Sequence, residues 1–598
     1  GVQHWDESDT SINSPHHRTN NYSTQGFYFV TEGTPAAIES IAPGTASNPL
    51  ELSSFNAHAL RDVDEFAFAQ MGRYLWEGTN LADGAVHTFK LDTPFPANGT
   101  AKLMVSAAAL DANTLLASFD GKALSNTTIS APAKYNAAGT ATSYHTVTVA
   151  RNTSELSLQM KGKAQTHLDF IELTYPRLFR LSGSHMPFSL TQSGSVSFTL
   201  TPQSSKQDIR LMRIGTQSSA AALITPSQGL TYVIDQARGD YVAFDLKASD
   251  YPVPSIVGPV DCQNLHAHGS VDMVIITPAS GIFDAQAARL AQAHAQYDGL
   301  TCRVVRADLI YNEFSSGTPD ATAYRRYLKM LYDRAASNGE EPVRYLLLFG
   351  DCAWDNRMLT QHWKGFSPDN FLLCYESANS LSDTKGYVAE DYFALLDDGE
   401  GNNLTTNKFD IAVGRFPVQN RAEAEVAVNK TITHLRNADK GSWQNLALVM
   451  GDDGDENSHM KYADKAADIL LSTHPEIDTR KLMWDTYKRV STTTGNTYPD
   501  LSRDIQSYLK NGAMLFNYVG HGATYVLSHE NVVRLATMQD FTNARQGLWF
   551  TAACDIMPFD GRVDNLGEAM FLNPKGGAAA FIGTARTVYA NYNSTLNN

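Results

Sequence analysis

Two stretches of the sequence bring a reactive side chain to the end of an apolar run. "LFNYVGHGATYVLSHE" (515–530) fences His521 between Gly520 and Gly522, and "LWFTAACDIMPFDG" (548–561) delivers Cys554, 33 positions later. A thiolate is suited to attack an amide carbonyl, and an imidazole titrating near neutral pH can take the thiol proton and hand it to the leaving amine. The backbone N–H of Gly522, unobstructed by a side chain, together with that of Cys554, could receive the oxyanion of the tetrahedral intermediate. Singly, each residue also suits a plainer role, since free cysteine is among the most buried residue types and histidine between glycines fits a tight turn. The two strand-end placements together favour the chemistry.

A third group of polar residues, "DDGDENSH" (452–459), crowds four acids ahead of a histidine. Asp452 and Asp455 are candidate ligands of a calcium ion, since carboxylate and amide oxygens around a glycine suit that cation. The full EF-hand pattern is missing, and a solvated loop explains the segment as well. "DDGEGNN" (397–403) is open to the same two readings. No other cofactor is required. His266 and His268 lack a ligand partner at metal spacing and read as structural or surface residues, and Cys352 and Cys374 either pair or fill core. Arg415 is expected to bridge two halves of a sheet through a carboxylate.

The elements that must position these residues fall into two textures. Up to about residue 250 the chain is rich in Ser, Thr, Asn, Ala and Gly, with alternating runs such as "HTVTVA" (145–150) and "SVSFTLT" (195–201), the pattern of antiparallel β-sandwiches. One sandwich is expected over 1–178 and a smaller one over 179–257. From about 258 continuous apolar runs, "VDMVIITP", "RYLLLFGD", "NLALVMGDD", "AMLFNYVG" and "GLWFTAAC", alternate with helical segments. Strands without alternation are buried on both faces, as in a parallel sheet covered by helices. This α/β region is expected in two halves, 258–430 and 431–598, with ligands met at the carboxyl ends of its strands.

Bulk properties remove other function classes. At 598 residues the chain exceeds one core and should hold three or four domains. Lys+Arg 47 against Asp+Glu 63 gives a net charge of −16, without the basic patch of a nucleic-acid binder. Five cysteines, with no CxxC spacing, exclude a dense disulfide framework and disfavour a zinc finger. No apolar run nears the roughly 20 residues that cross a bilayer. The polar start "GVQHWDESDT" reads as that of a mature or trimmed chain.

The Tyr-Val-Gly-His-Gly of 518–522 and the "TAAC" ending at Cys554 resemble the His and Cys motifs of the gingipain-type cysteine peptidases, as do "EDYFALLDDGEGN" (390–402) and "DIAVGRFPVQNRAEAE" (410–425). The front segments "HHRTNNYSTQGFYFVT" (16–31) and "DEFAFAQMGRYLWEG" (64–78) are similar, more narrowly, to the PorU-type signal peptidases, or sortases, of the type IX secretion system. The resemblance implies a caspase-like α/β catalytic domain behind β-sandwiches, with further N- and C-terminal portions in the full-length relatives. It implies Cys554 as nucleophile, His521 as general acid/base and an oxyanion hole from the N–H groups of Gly522 and Cys554. An acid orienting the imidazole is implied after the strand in "LALVMGDDGDENSH". Asp453 is the choice, with Asp452 and Asp455 as rivals, because the glutamate of the Arg-specific members aligns with Gly454. Their Arg-selecting aspartate aligns near Met460, a weak substrate-binding candidate that argues for a small or neutral P1 residue. Implied too are calcium in the catalytic domain, a cell-surface, outer-membrane-associated location, and cargo signal domains as substrate. PorV, PorQ, PorZ and anionic lipopolysaccharide would be partners. The alternatives are a gingipain-like protease that degrades external proteins and a catalytically silent scaffold or glycan-binding protein.

Overall fold

The computed structural model describes residues 3–6, 17–34, 38–216, 219–493 and 495–597, so much of the polar start lies outside the described residues. The chain forms two compact units, one built from 1–20, 30–66 and 75–262, the other from 21–29, 67–74 and 263–598. The front segments similar to the PorU-type enzymes thus contribute to the second unit. Within that unit Tyr22 packs against a hydrophobic core and the Gly72 N–H donates to the Glu376 carboxylate at 3.0 Å.

The first unit is all-β. One sheet aligns Thr127–Ile129, Asn113–Phe119, Thr153–Met160 and His87–Asp92, and another aligns Gly139–Val147, Ala101–Ala109, Thr166–Leu178 and Ser54–Asp62. Strict alternation along Thr153–Met160 sends Leu156 and Leu158 into the core and their neighbours outward. A second pair of sheets, carrying His185–Leu190, Gly239–Asp245 and Val196–Thr199, shares that core through Phe188, Phe198 and Tyr241. It also draws in Glu39–Ile41 and Leu50–Glu51, strands of three and two residues that are too short to show alternation in the sequence.

In the second unit strands β1 (Met273–Thr277), β2 (Cys302–Arg306), β3 (Tyr345–Phe349) and β4 (Ala412–Phe416) form a parallel sheet in the order β2-β1-β3-β4. Strands β5 (Leu446–Gly451), β6 (Asp478–Met483), β7 (Leu515–Val519), β8 (Leu548–Ala552) and β9 (Ala580–Ile582) form another in the order β6-β5-β7-β8-β9, also parallel. Both faces are covered, which is why these strands read as unbroken apolar runs. Val274, Ile276, Leu346 and Leu348 enter one core with Tyr324 and Leu328 of helix Ala321–Asn338. Ile275, Leu347 and Phe349, one position out of phase, enter another with Ala287 and Leu290 of helix Asp284–Tyr297 and Ala424 and Val428 of helix Arg421–Arg436.

Buried polar groups fix the halves. Arg415, expected to bridge them, instead holds Glu390 of its own half, with Nη2 2.5 Å from Oε1, and donates to the carbonyls of Gly350 and Leu373. His266, read as a structural or surface residue, is exposed and pairs with Glu313 at 2.6 Å. One link between the halves is Lys430 of helix Arg421–Arg436. Its buried ammonium donates to the carbonyls of Met570 and Phe571, at the end of helix Leu566–Leu572, and to that of Ala578. The first two are carbonyls of the last helical turn, which lack intrahelical donors, and that of Met570 also accepts from the Ala578 N–H at 2.9 Å. Replacing Lys430 by Met should lower the unfolding free energy of this unit by roughly 2–4 kcal/mol, because the carbonyls of Phe571 and Ala578 lose the donor that Lys430 supplies and that of Met570 keeps only the Ala578 N–H. Urea denaturation checks this, and an unchanged midpoint would contradict it.

Candidate active site

The reactive pair is positioned by strand register. β7 and β8 pair in parallel with Val519 opposite Ala552, so His521 and Cys554 each stand two residues beyond a matched pair. The Gly520 N–H extends the ladder to the Ala552 carbonyl at 3.3 Å. Side chains two apart share a face, and Val519 and Ala552 lie in the core under helix Gly454–Thr473, with Ala463 and Ala467. Imidazole and thiol therefore leave the sheet on the same side.

Glycine on each side of His521 answers to space rather than to backbone conformation. A Cβ on Gly520 would overlap the Tyr518 hydroxyl and the Asp452 side chain. One on Gly522 would fall 2.5 Å from Ile556 and 2.9 Å from Ala553, on the turn that carries the thiol. What crowds Gly520 holds His521. The His521 N–H donates to Asp452 Oδ2 at 3.1 Å, and the Tyr518 hydroxyl donates to the His521 carbonyl at 2.8 Å. Asp452 is 2% exposed, and burial raises its pKa against the opposing His521 N–H bond and charge.

The acids fall out differently from their order in the sequence. Asp453, chosen to orient the imidazole, accepts instead from the Tyr498 hydroxyl at 2.6 Å. The carboxylate facing the ring is that of Asp455, with Oδ2 3.3 Å from His521 Nε2. Backbone conformation makes the difference: Asp455, Glu456 and Asn457 have φ of 50°, 56° and 62°, a left-handed turn that no residue pattern announces. The same Oδ2 lies 3.3 Å from Nε2 of the buried His459, whose ring meets that of His521 edge-on at 4.9 Å, and His529 stacks on the His521 ring at 4.3 Å. Asp452 and Asp455, the candidate calcium ligands, do not share a ligand set among the described residues. Asp455 groups with His459 and His521, while Asp452 groups with Asp453 and Glu530. Met460 is 7% exposed and its backbone packs against Gly451 of β5, so it fills core.

Cys554 sits at a sharp corner, since Asp555 after it has φ of 51°. The segment 584–588 runs along that corner. Met557 N–H donates to Thr584 O at 3.0 Å, Asp555 N–H to Arg586 O at 3.3 Å, and Thr587 Oγ1 to Asp555 Oδ2 at 2.8 Å. Buried Arg586 anchors the segment through an ion pair with Asp560. Cys554 Sγ lies 3.4 Å from the Val588 carbonyl oxygen and 3.5 Å from its nitrogen. Among the described residues no hydrogen bond joins Sγ to the imidazole. Burial raises the thiol pKa, the Val588 contact opposing and the Asp555 charge adding to the shift. The arrangement is thus a neutral thiol beside a separate imidazole that has its own carboxylate. It suits acyl transfer in which proton transfer waits for a substrate carbonyl. Tyr518, Arg586 and Val588 were not singled out in the sequence, and His459 stood there only as the histidine closing the acid-rich segment. Tyr518 alone carried a signal, as the aromatic residue before Val-Gly-His-Gly.

The profile of peptidase family C25 matches residues 266–598. No curated protein matches the chain. Among solved structures, the chain is similar to the dimeric latent PorU from Porphyromonas gingivalis, with 25% identity and a TM-score of 0.61, over 75% of this chain and 47% of that one. It therefore spans about half the length of PorU. Similarity also extends to the complex of Porphyromonas gingivalis RgpB pro- and mature domains, with 17% identity, TM-score 0.38 and 54% and 66% of the two chains. For the Arg-specific cysteine proteinase gingipain R the values are 16%, 0.38, 57% and 68%.

The raised thiol pKa sets the pH response of the resting site. Because the group's ordinary value is 9.0 and burial moves it upward, alkylation of Cys554 by iodoacetamide should keep accelerating above pH 9.0. Peptide mass mapping across pH measures this, and a rate already on its plateau at pH 7 would contradict it.

Proposed function

Because the chain belongs to peptidase family C25, we propose that it is a cysteine endopeptidase acting through an acyl-enzyme at Cys554. The observation that carries this reading is the register of β7 and β8, which gives a thiol and an imidazole equivalent positions on one face of a parallel sheet. A peptide carbonyl entering between them lets the imidazole accept the thiol proton as sulfur attacks carbon. The oxyanion is received by the N–H groups of Gly522 and Cys554, and the imidazolium then protonates the departing amine as the C–N bond breaks. Asp455 steadies the imidazolium, and Asp452 and Tyr518 fix the backbone that bears it.

The substrate, in this reading, is the C-terminal signal domain of type IX secretion cargo at the cell surface. The similarity to PorU supports it. A thioester accepts either water or an amine, so release by an amine of anionic lipopolysaccharide would make the enzyme a sortase. Docking to PorV, with PorQ and PorZ in the same assembly, belongs to the same proposal. No described helix is long and apolar enough to cross a membrane.

Cys554→Ala should lower kcat/KM on a cargo fragment spanning the signal-domain junction by about 10⁴-fold or more. Mass spectrometry of the products, with and without an amine-bearing glycolipid, separates hydrolysis from transfer. Undiminished cleavage by the variant would overturn the mechanism. Asp455→Asn should reduce kcat at least about tenfold more than Asp453→Asn, since only the former carboxylate faces the ring. Equal losses would return the orienting role to Asp453.

A further inference from the structure

Asp455, His459 and His521 bring three metal-ligating atoms together at one spot. Asp455 Oδ2 is 3.3 Å from His459 Nε2 and 3.3 Å from His521 Nε2, and all three atoms lie within 4.8 Å of one another. A tetrahedral metal with bonds of about 2.0–2.1 Å separates neighbouring ligand atoms by about 3.3–3.4 Å. Two oxygen–nitrogen edges of such a site are therefore already in place.

An independent observation comes from His459. It is only 5% exposed, and its Nε2 has no directed hydrogen bond among the described residues, although it points at Asp455 and His521. A buried ring nitrogen left this way is costly, and a ligand would satisfy it. Gly454 leaves room, because a Cβ there would stand 3.0 Å from His521 Cδ2 and Nε2. Asp455 has 60% of its side chain exposed, which gives an ion and a fourth, water ligand a way in. Two imidazoles and one carboxylate suit zinc and its neighbours, whereas calcium asks for six to eight oxygens.

We propose that Asp455, His459 and His521 form a zinc-type divalent metal site, and that its occupation switches off the peptidase. Binding requires no thiol. The metal takes the Nε2 lone pair of each imidazole, and any proton on those atoms passes to solvent. With His521 so engaged, it can no longer carry the proton between thiol and leaving amine. This inhibitory consequence rests on the proposed role of His521, while the binding itself does not.

The test titrates Zn²⁺ into the chelator-treated full chain against a colorimetric chelator, with Co²⁺ as a spectroscopic probe and zinc-edge anomalous diffraction from soaked crystals. Wild type and Cys554→Ala should each bind one equivalent at this site, and the anomalous peak should lie within bonding distance of both Nε2 atoms. His459→Gln should weaken binding at least about tenfold, the lower range for loss of a ligand's mere hydrogen-bonding partner. It should also need at least tenfold more zinc for half-inhibition, each protein being scaled to its own zinc-free rate. Loss of binding in Cys554→Ala with retention in His459→Gln would overturn the proposal. So would the absence of a peak between the two rings, whether or not the variant folds. A chain that binds zinc as described but cleaves no peptide without it would leave the site standing and remove the proposed function.

Discussion

The pairing of β7 with β8 is the constraint on which the rest depends. A parallel ladder fixes which residues are level with each other, and side-chain alternation fixes the face on which they emerge. With Val519 level with Ala552, the residues two positions on, an imidazole and a thiol, need no further device to be neighbours. A slip of one residue would send one of them to the opposite face, among the side chains of Phe516, Tyr518 and Trp549. The apolar layers on both faces of this sheet therefore act on the site by holding its register.

Around that pairing the protein spends buried polar groups on backbone rather than on the reacting side chains. Asp452 and Tyr518 take the N–H and the carbonyl of His521, and the absence of a side chain at Gly520 lets them come so close. Asp560 and Arg586 fix the segment whose Val588 lies against the thiol. The imidazole and Asp455 are left half-exposed and exposed, respectively. Backbone is clamped while the proton-carrying groups stay open to solvent, an arrangement suited to a base that must serve first a thiol and then a leaving amine.

Much of this was legible because buried parallel strands have a plain signature. "LFNYV" and "LWFTA" are apolar without alternation and stop abruptly, so the residues just past them had to sit at strand tips. The acid was not legible. Asp452, Asp453 and Asp455 have identical chemistry within four positions, and only the left-handed turn at Asp455–Asn457 decides that Asp453 meets Tyr498 while Asp455 meets the ring. Nor does any periodicity show that residues 21–29 and 67–74 are built into the second unit, or that Glu39–Ile41 pairs with Ala222–Ile224, since both arise from long-range contacts of short segments. His459 shows in the sequence only as the histidine that closes an acid-rich segment, and the fold alone sets its ring against that of His521.

The central claim is that sulfur at the tip of β8 becomes covalently bound to the substrate's acyl group. Acid-quenching the enzyme during turnover and mapping the trapped thioester by peptide mass spectrometry tests it most directly. The acyl fragment is expected on the peptide containing Cys554, and it should disappear when water or amine is given time to react. Turnover that continues with no acyl group on Cys554, or with the acyl group on another residue, would contradict it.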